Sequence, residues 1–278
     1  MSTTRRLWIG LALLLAATFS VLLWQGREIY HAAPPLPDKV VSASGSVLYT
    51  RADIDAGRVV WQSIGGQQVG SIWGHGALVA PDWSADWLHR EADELLGLWA
   101  RRQYQASYAS LSEPDKAALQ ARVREELRSN GFDSASGTLR VSEDRAIAIA
   151  NVAAHYVSLF SNDPATQKLR DTYALRNDSV PDLEHRRQMT AFFFWTSWAA
   201  VTTRPGADKS YTSNWPYDPL VGNTPTSSAF LWTVFSVLFL IAGIALLAWH
   251  HAVQHGKEPP LAPPARDPLA GLVATPSM

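Results

Sequence analysis

LWIGLALLLAATFSVLLW, residues 7–24, is a run of eighteen residues without a charge. At about 1.5 Å per residue a helix of that length reaches roughly 27 Å, close to the hydrocarbon core of a bilayer. Arg5 and Arg6 precede the run, and Gln25, Arg27 and Glu28 follow it. A cleaved signal peptide is the competing reading. Against it, the apolar stretch exceeds the roughly 7–15 residues of such leaders. The only small-residue end, Ala32-Ala33, runs straight into Pro34-Pro35. The run therefore reads as an uncleaved anchor.

A second stretch, AFLWTVFSVLFLIAGIALLAW at residues 229–249, has the same character. Trp232 and Trp249 stand near its ends, where interfacial aromatics belong. Both stretches are apolar on every side, unlike surface helices. Excess Lys and Arg marks the cytoplasmic side, so Arg5 and Arg6 place the N-terminus there. Two spans return the chain to the same side, where Lys257 and Arg266 lie. The expected organisation is a cytoplasmic N-terminus (1–6), a first transmembrane helix (7–24), an outer domain (25–228), a second transmembrane helix (229–250) and a cytoplasmic tail (251–278).

The composition narrows the chemistry. With 278 residues and a formal net charge of -1, nothing argues for nucleic acid. The chain has no cysteine, which removes disulfides, thiolate metal sites, iron–sulfur clusters and thiol catalysis. Covalent haem attachment, which needs Cys-x-x-Cys-His, goes with them. Twelve tryptophans point instead to large aromatic contacts in a core, an interface or a membrane boundary.

The outer domain reads as mostly helical with little strand. Residues 25–50 read as a stalk, because Pro34, Pro35 and Pro37 forbid a continuing helix, with a short strand within Val40 to Tyr49. Arg51 to Gln62 forms a short helix, followed by a glycine-rich turn, Gly65-Gly66-Gln67-Gln68-Val69-Gly70. Pro81-Asp82-Trp83-Ser84 starts a helix whose apolar residues Trp87, Leu88, Ala92, Leu95 and Trp99 recur at three and four. Ser112-Glu113-Pro114-Asp115 begins the next, and Gly131 is expected to stop it. Thr138 to Val141 is a short strand, Ser142 starts another helix, and Asp163-Pro164 opens one more. Pro181-Asp182 begins a helix carrying Phe192, Phe193, Phe194, Trp195 and Trp198. Its apolar part is too short to span a bilayer, so it is expected to be buried or to graze the membrane.

Candidate chemistry is sparse. The histidines at 31, 75, 89, 155, 185, 250, 251 and 255 form no metal-binding spacing. His89 stands two and five residues from Glu91 and Glu94, which does not place them on one helix face, so it reads as a structural histidine. His250 and His251 read as a polar helix end, because two helices cannot enclose a haem. The glycines at 65, 66, 70, 74 and 76 lack the Gly-Lys-Ser/Thr of a phosphate loop.

Three segments carry a resemblance. They are Trp61-Gln62-Ser63-Ile64-Gly65-Gly66; Gly70-Ser71-Ile72-Trp73-Gly74-His75-Gly76; and Ala80-Pro81-Asp82-Trp83-Ser84-Ala85-Asp86-Trp87-Leu88-His89-Arg90-Glu91. Phe192 to Ala200, Arg204-Pro205-Gly206 and Tyr211-Thr212-Ser213-Asn214-Trp215-Pro216 add to them. Together they resemble the N-terminal region of the quinol-dependent nitric oxide reductases of the haem–copper oxidase superfamily, over nearly the whole chain. The resemblance implies a mainly α membrane protein of the bacterial inner membrane. Its two transmembrane helices would flank a mostly helical periplasmic domain of haem-less cytochrome c-like type. In such reductases twelve further helices hold haem b, haem b3, the non-haem iron and the quinol site, and none of their ligands has a counterpart here.

Related reductases carry a separate cytochrome c subunit with Cys-x-x-Cys-His shortly before a Gly-x-Gly-Ala-Tyr-x-Ala-Pro turn. Gly74-His75-Gly76-Ala77-Leu78-Val79-Ala80-Pro81 resembles that turn. Counting back puts Gly66, Val69 and Gly70 in the haem-attachment slots. The resemblance also implies a calcium ion at the turn. Gly76 keeps a backbone carbonyl for it, while Leu78 replaces the tyrosine. The volume a haem would occupy is expected to be filled by tryptophan and phenylalanine; a haem-sized cavity would contradict this.

The leading expectation is thus a structural, non-catalytic part of a reductase that converts two nitric oxide molecules to nitrous oxide. It would be a truncated product or one piece of a split gene, inactive alone, with the lipid bilayer and a twelve-helix catalytic piece as its partners. The alternatives are a non-enzymatic two-helix membrane protein that binds a partner through its periplasmic domain, and a remnant without a role.

Overall fold

The computed structural model describes residues 3–74 and 77–255. The chain divides into two compact units between Thr226 and Ser227. The second unit contributes one helix, Ser227–His255, described by itself. The first begins with helix α1, Thr3–His31, which overruns the apolar stretch at both ends. Both helices are long and apolar enough to cross a membrane. Helix α1 stops at His31, ahead of Pro34 and Pro35, as missing backbone donors require.

Beyond α1 the chain forms strands β1 (Lys39–Ser42) and β2 (Val47–Thr50) and helices α2 (Arg51–Ser63), α3 (Trp83–Tyr104) and α4 (Glu113–Arg128). Strands β3 (Phe132–Asp133) and β4 (Thr138–Val141) follow, then helices α5 (Glu143–Leu159), α6 (Gln167–Thr172) and α7 (Leu183–Val201). The strands form one sheet in the order β2-β1-β4-β3. β1 runs parallel to β4, with Val40 opposite Leu139, and both outer pairs are antiparallel.

Helix starts follow the sequence closely. Thr50, Asp82, Ser112, Ser142 and Asp182 each accept a backbone N–H from the first turn of the helix they precede. Such caps satisfy donors that have no partner inside the helix.

Several expectations need correction. The stalk is shorter than residues 25–50: residues 25–31 continue α1, and from Lys39 onward the chain belongs to the sheet. The Val40–Tyr49 segment is two paired strands rather than one. Helix α4 ends at Arg128, with Ser129 in extended backbone, so Gly131 does not stop it. A Cβ at Gly131 would lie 2.1 Å from the Arg140 carbonyl oxygen, so close approach of β4 is its reason to be glycine. Asp163-Pro164 opens a 3-10 turn, Pro164–Thr166, ahead of the six-residue α6.

Between burial and grazing the membrane, α7 takes burial. Every residue from Met189 to Val201 except Trp195 is buried. A helix enclosed on all sides needs no polar face, and α7 packs against α2, α3 and α5. The partly buried Trp195 donates its indole N–H to the Pro35 carbonyl at 3.0 Å, tying the chain after α1 to the core helix.

Candidate functional site

The glycine-rich turn after α2 is pinned to the start of α3. Ser71 N donates to the Pro81 carbonyl at 3.1 Å, and Trp83 N donates to the Ser71 carbonyl at 2.8 Å. The Asp82 carboxylate accepts from Ala85 N at 3.0 Å, from the Ser71 hydroxyl at 2.8 Å, and also from the Ser84 hydroxyl and Gly74 N. One aspartate therefore caps the helix and closes the loop, which explains the Pro-Asp-Trp-Ser pattern at its root.

Gly70 sits at φ 130°, and a Cβ there would meet the Trp83 indole nitrogen at 1.9 Å. The indole occupies the space where a side chain at 70 would lie. Val69 packs against the same core, and Gly66 is buried. These are the three positions expected in the haem-attachment slots.

Trp83 is fully buried and stacks on Phe193, with centroids 5.6 Å apart. Phe160, Tyr156 and Tyr173 meet it edge-on at 5.4, 6.0 and 6.0 Å. One turn along α3, Trp87 stacks on Tyr156 at 5.3 Å with planes 3° apart. Offset and edge-on contacts of this kind add to the area buried. Two grooves lie elsewhere. One groove of about 470 Å³ is lined by Tyr49, Ala153 and Arg187, and another of about 810 Å³ by Glu28, Trp73 and Arg204. A hollow of about 350 Å³ touches the turn from Gln67, Gln68, Ala77 and Leu78, without Trp83 in its lining.

Two polar constellations cross this core. Glu91, fully buried, accepts from the Trp87 indole at 2.9 Å and from Arg145 Nε at 2.6 Å. Asp86 accepts from the Tyr156 hydroxyl at 2.6 Å and from Arg90 at 2.8 Å. Burial, and then the nearby Asp86 charge, push the Tyr156 phenol well above its ordinary pKa. Burial, with the positive charge of Arg90, holds His155 below the ordinary imidazole value. Sequence reasoning weighed Glu91 only against His89, set the two on different faces, and missed the partners of Glu91. The available signal was the Trp87–Glu91 spacing of four, which does place two side chains together on a helix.

His89 faces away from Glu91: it is half exposed, and its Nδ1 lies 2.9 Å from Asp218, which is buried. His251 packs edge-on against His255 at 4.6 Å within the last helix. Among the described residues no three His, Asp or Glu side chains come together as a metal site. His75 and Gly76 lie outside the described residues, and the Gly76 carbonyl expected at a calcium ion lies there with them. Leu78, in the tyrosine's place, is fully exposed.

A family model for the cytochrome c-like domain of NorB, a nitric oxide reductase component, matches residues 37–217. No curated protein matches the chain.

Proposed function

The chain belongs to the NorB family of nitric oxide reductase components through its cytochrome c-like domain, and from that premise we propose that it is a structural, non-catalytic part of a quinol-dependent nitric oxide reductase. It anchors in the bacterial inner membrane, with its domain on the periplasmic side. There it caps a catalytic helix bundle that reduces two nitric oxide molecules to nitrous oxide.

The observation that carries this reading is the Trp83 indole against Gly70, in a chain with no cysteine. A cytochrome c fold holds its haem through two thioether bonds and axial ligands. Here the residues present do not fit that group, since the attachment slots hold two glycines and a valine with an indole packed against them. On this reading the buried aromatic cluster of Trp83, Tyr156, Phe160 and Phe193 takes up the volume that a haem would have held. Electron transfer and proton delivery then fall to other parts of the reductase, and the domain supplies shape and attachment. The arrangement resembles a cofactor domain retained as scaffold.

The test is purification from native membranes through a tag on this chain. Haem b in the purified material, at a stoichiometry of order one, is the expected result. Nitric oxide turnover by the chain free of any haem-bearing partner would overturn the structural role.

A further inference from the structure

The larger groove, about 810 Å³, lies where the outer end of α1 meets the loop after α7. Its first lining residue, Gln25, directly follows the apolar run that ends at Trp24. In a membrane-spanning α1 that level is the headgroup layer. Ile29 of α1 and Ala33 just beyond its end line one wall, and the indoles of Trp73 and Trp215 stand among the other lining groups. Trp73 is held in place by its N–H, which donates to the Thr196 carbonyl at 2.8 Å. Trp215 is half exposed.

Two cations share the groove. Arg204 and Lys209 sit on one short hairpin, closed by Arg204 N donating to the Lys209 carbonyl at 3.0 Å and by pairing of Thr203 with Ser210. Both are half-buried, and neither has a carboxylate partner among the described residues. Glu28 is the one acidic residue in the lining among the described residues, so their charges sum to about one positive. Cations at headgroup depth beside indoles and an apolar wall match an anionic phosphodiester joined to acyl chains.

We propose that this groove binds one anionic phospholipid. Arg204 and Lys209 meet the phosphate oxygens, while Trp73, Trp215 and Ile29 pack against the glycerol-ester end. The bound lipid fixes the domain against the membrane surface. This rests on α1 crossing the membrane, and it is independent of the reductase reading.

The full chain, in bilayer discs of equal phosphatidylglycerol and phosphatidylcholine, is released into native mass spectrometry and its retained lipids are counted. One phosphatidylglycerol in preference to phosphatidylcholine is expected. Arg204→Gln with Lys209→Gln should lower that preference roughly thirtyfold, with near-ultraviolet dichroism unchanged. Trp215→Ala should weaken retention of the lipid without removing the charge preference. Equal retention of both lipids by the parent chain overturns the proposal. So does inorganic phosphate that binds without lipid and displaces it, which makes this a free-anion site. Loss of the retained lipid when a co-purified protein partner is present makes the groove a protein contact and also overturns it. Release of the chain from membranes by alkaline carbonate also overturns it, because α1 then does not span and the groove does not lie at headgroup depth.

Discussion

Glu91 and Arg145 form a 2.6 Å ion pair in the interior, with their side chains 0% and 4% exposed. The Trp87 indole satisfies the second Glu91 oxygen, and the arginine carbon lies 6.0 Å from the Phe194 ring centroid. Removing one charge leaves the other stranded in a dry core. Arg145→Met should therefore cost about 3–5 kcal/mol, whereas Arg145→Met with Glu91→Gln should recover much of the loss. Denaturant unfolding of the four proteins in one detergent, followed by tryptophan fluorescence, supplies the double-mutant cycle. Simple additivity of the two single losses would show that the charges do not act as a pair.

Gly57 lies inside α2, where alanine is intrinsically better by about 1 kcal/mol. A Cβ at 57 would come within 1.9 Å of the Gln188 carbonyl oxygen on α7, so the two helices must separate to admit it. Gly57→Ala is expected to destabilise by about 1–3 kcal/mol, the usual cost of overpacking. Gly97, inside α3, is the control. Its Cβ would meet only the far end of the Arg101 side chain, at 3.2 Å, so Gly97→Ala should be neutral or stabilising. Melting temperatures moving in the same direction for both variants would contradict the packing argument.

The features legible in the sequence are local ones. Thr50, Asp82, Ser112, Ser142 and Asp182 advertise helix starts because a short polar side chain there reaches the free N–H groups of the first turn. The two apolar helices declare themselves by length and uninterrupted apolarity. Gly131 misled because glycine serves both as a helix stop and as room for a neighbouring strand, and only the position of Arg140 distinguishes these uses. The parallel pairing of β1 with β4 joins segments about a hundred residues apart, and no short-range pattern encodes it. At the site, the aromatic excess pointed to large ring contacts, and Trp83, Trp87, Tyr156, Phe160 and Phe193 are buried together. The partnership of Glu91 with Arg145 across 54 positions was invisible until α3 and α5 were packed together.

Acid should loosen the domain near neutrality through His155. Its ring lies edge-on to Tyr156, and one of its nitrogens, Nε2, is buried without a partner among the described residues. Its folded pKa lies below the ordinary value of 6.5 because burial and then Arg90 disfavour the cation. Between the folded and unfolded values the unfolded chain binds more protons, so stability rises with pH in that window. The contribution is fully present above about pH 6.5 and is lost as pH falls toward the folded value. His155→Gln should flatten the dependence of melting temperature between about pH 7 and 5. An unchanged slope would place the acid sensitivity elsewhere.

Trp83 and Trp87 are both fully buried, one turn apart, yet they differ in what their indole nitrogens do. Trp87 Nε1 donates to Glu91 at 2.9 Å. Trp83 Nε1 is buried with no partner among the described residues, as is Trp61 Nε1. Replacing either with phenylalanine removes similar volume and should cost a similar packing loss. Trp87→Phe also takes a donor from a buried carboxylate, which adds about 1–3 kcal/mol. Trp83→Phe removes an N–H that had given up water for nothing, which offsets part of its cavity term. The expected order is therefore parent, then Trp83→Phe, then Trp87→Phe in falling stability, read from unfolding midpoints in the same detergent. Arg145→Met with Glu91→Leu provides the check on cause, because with no acceptor at 91 the extra cost of Trp87→Phe should shrink toward that of Trp83→Phe. Persistence of the full difference there would mean that ring packing, and not the hydrogen bond to Glu91, separates the two tryptophans.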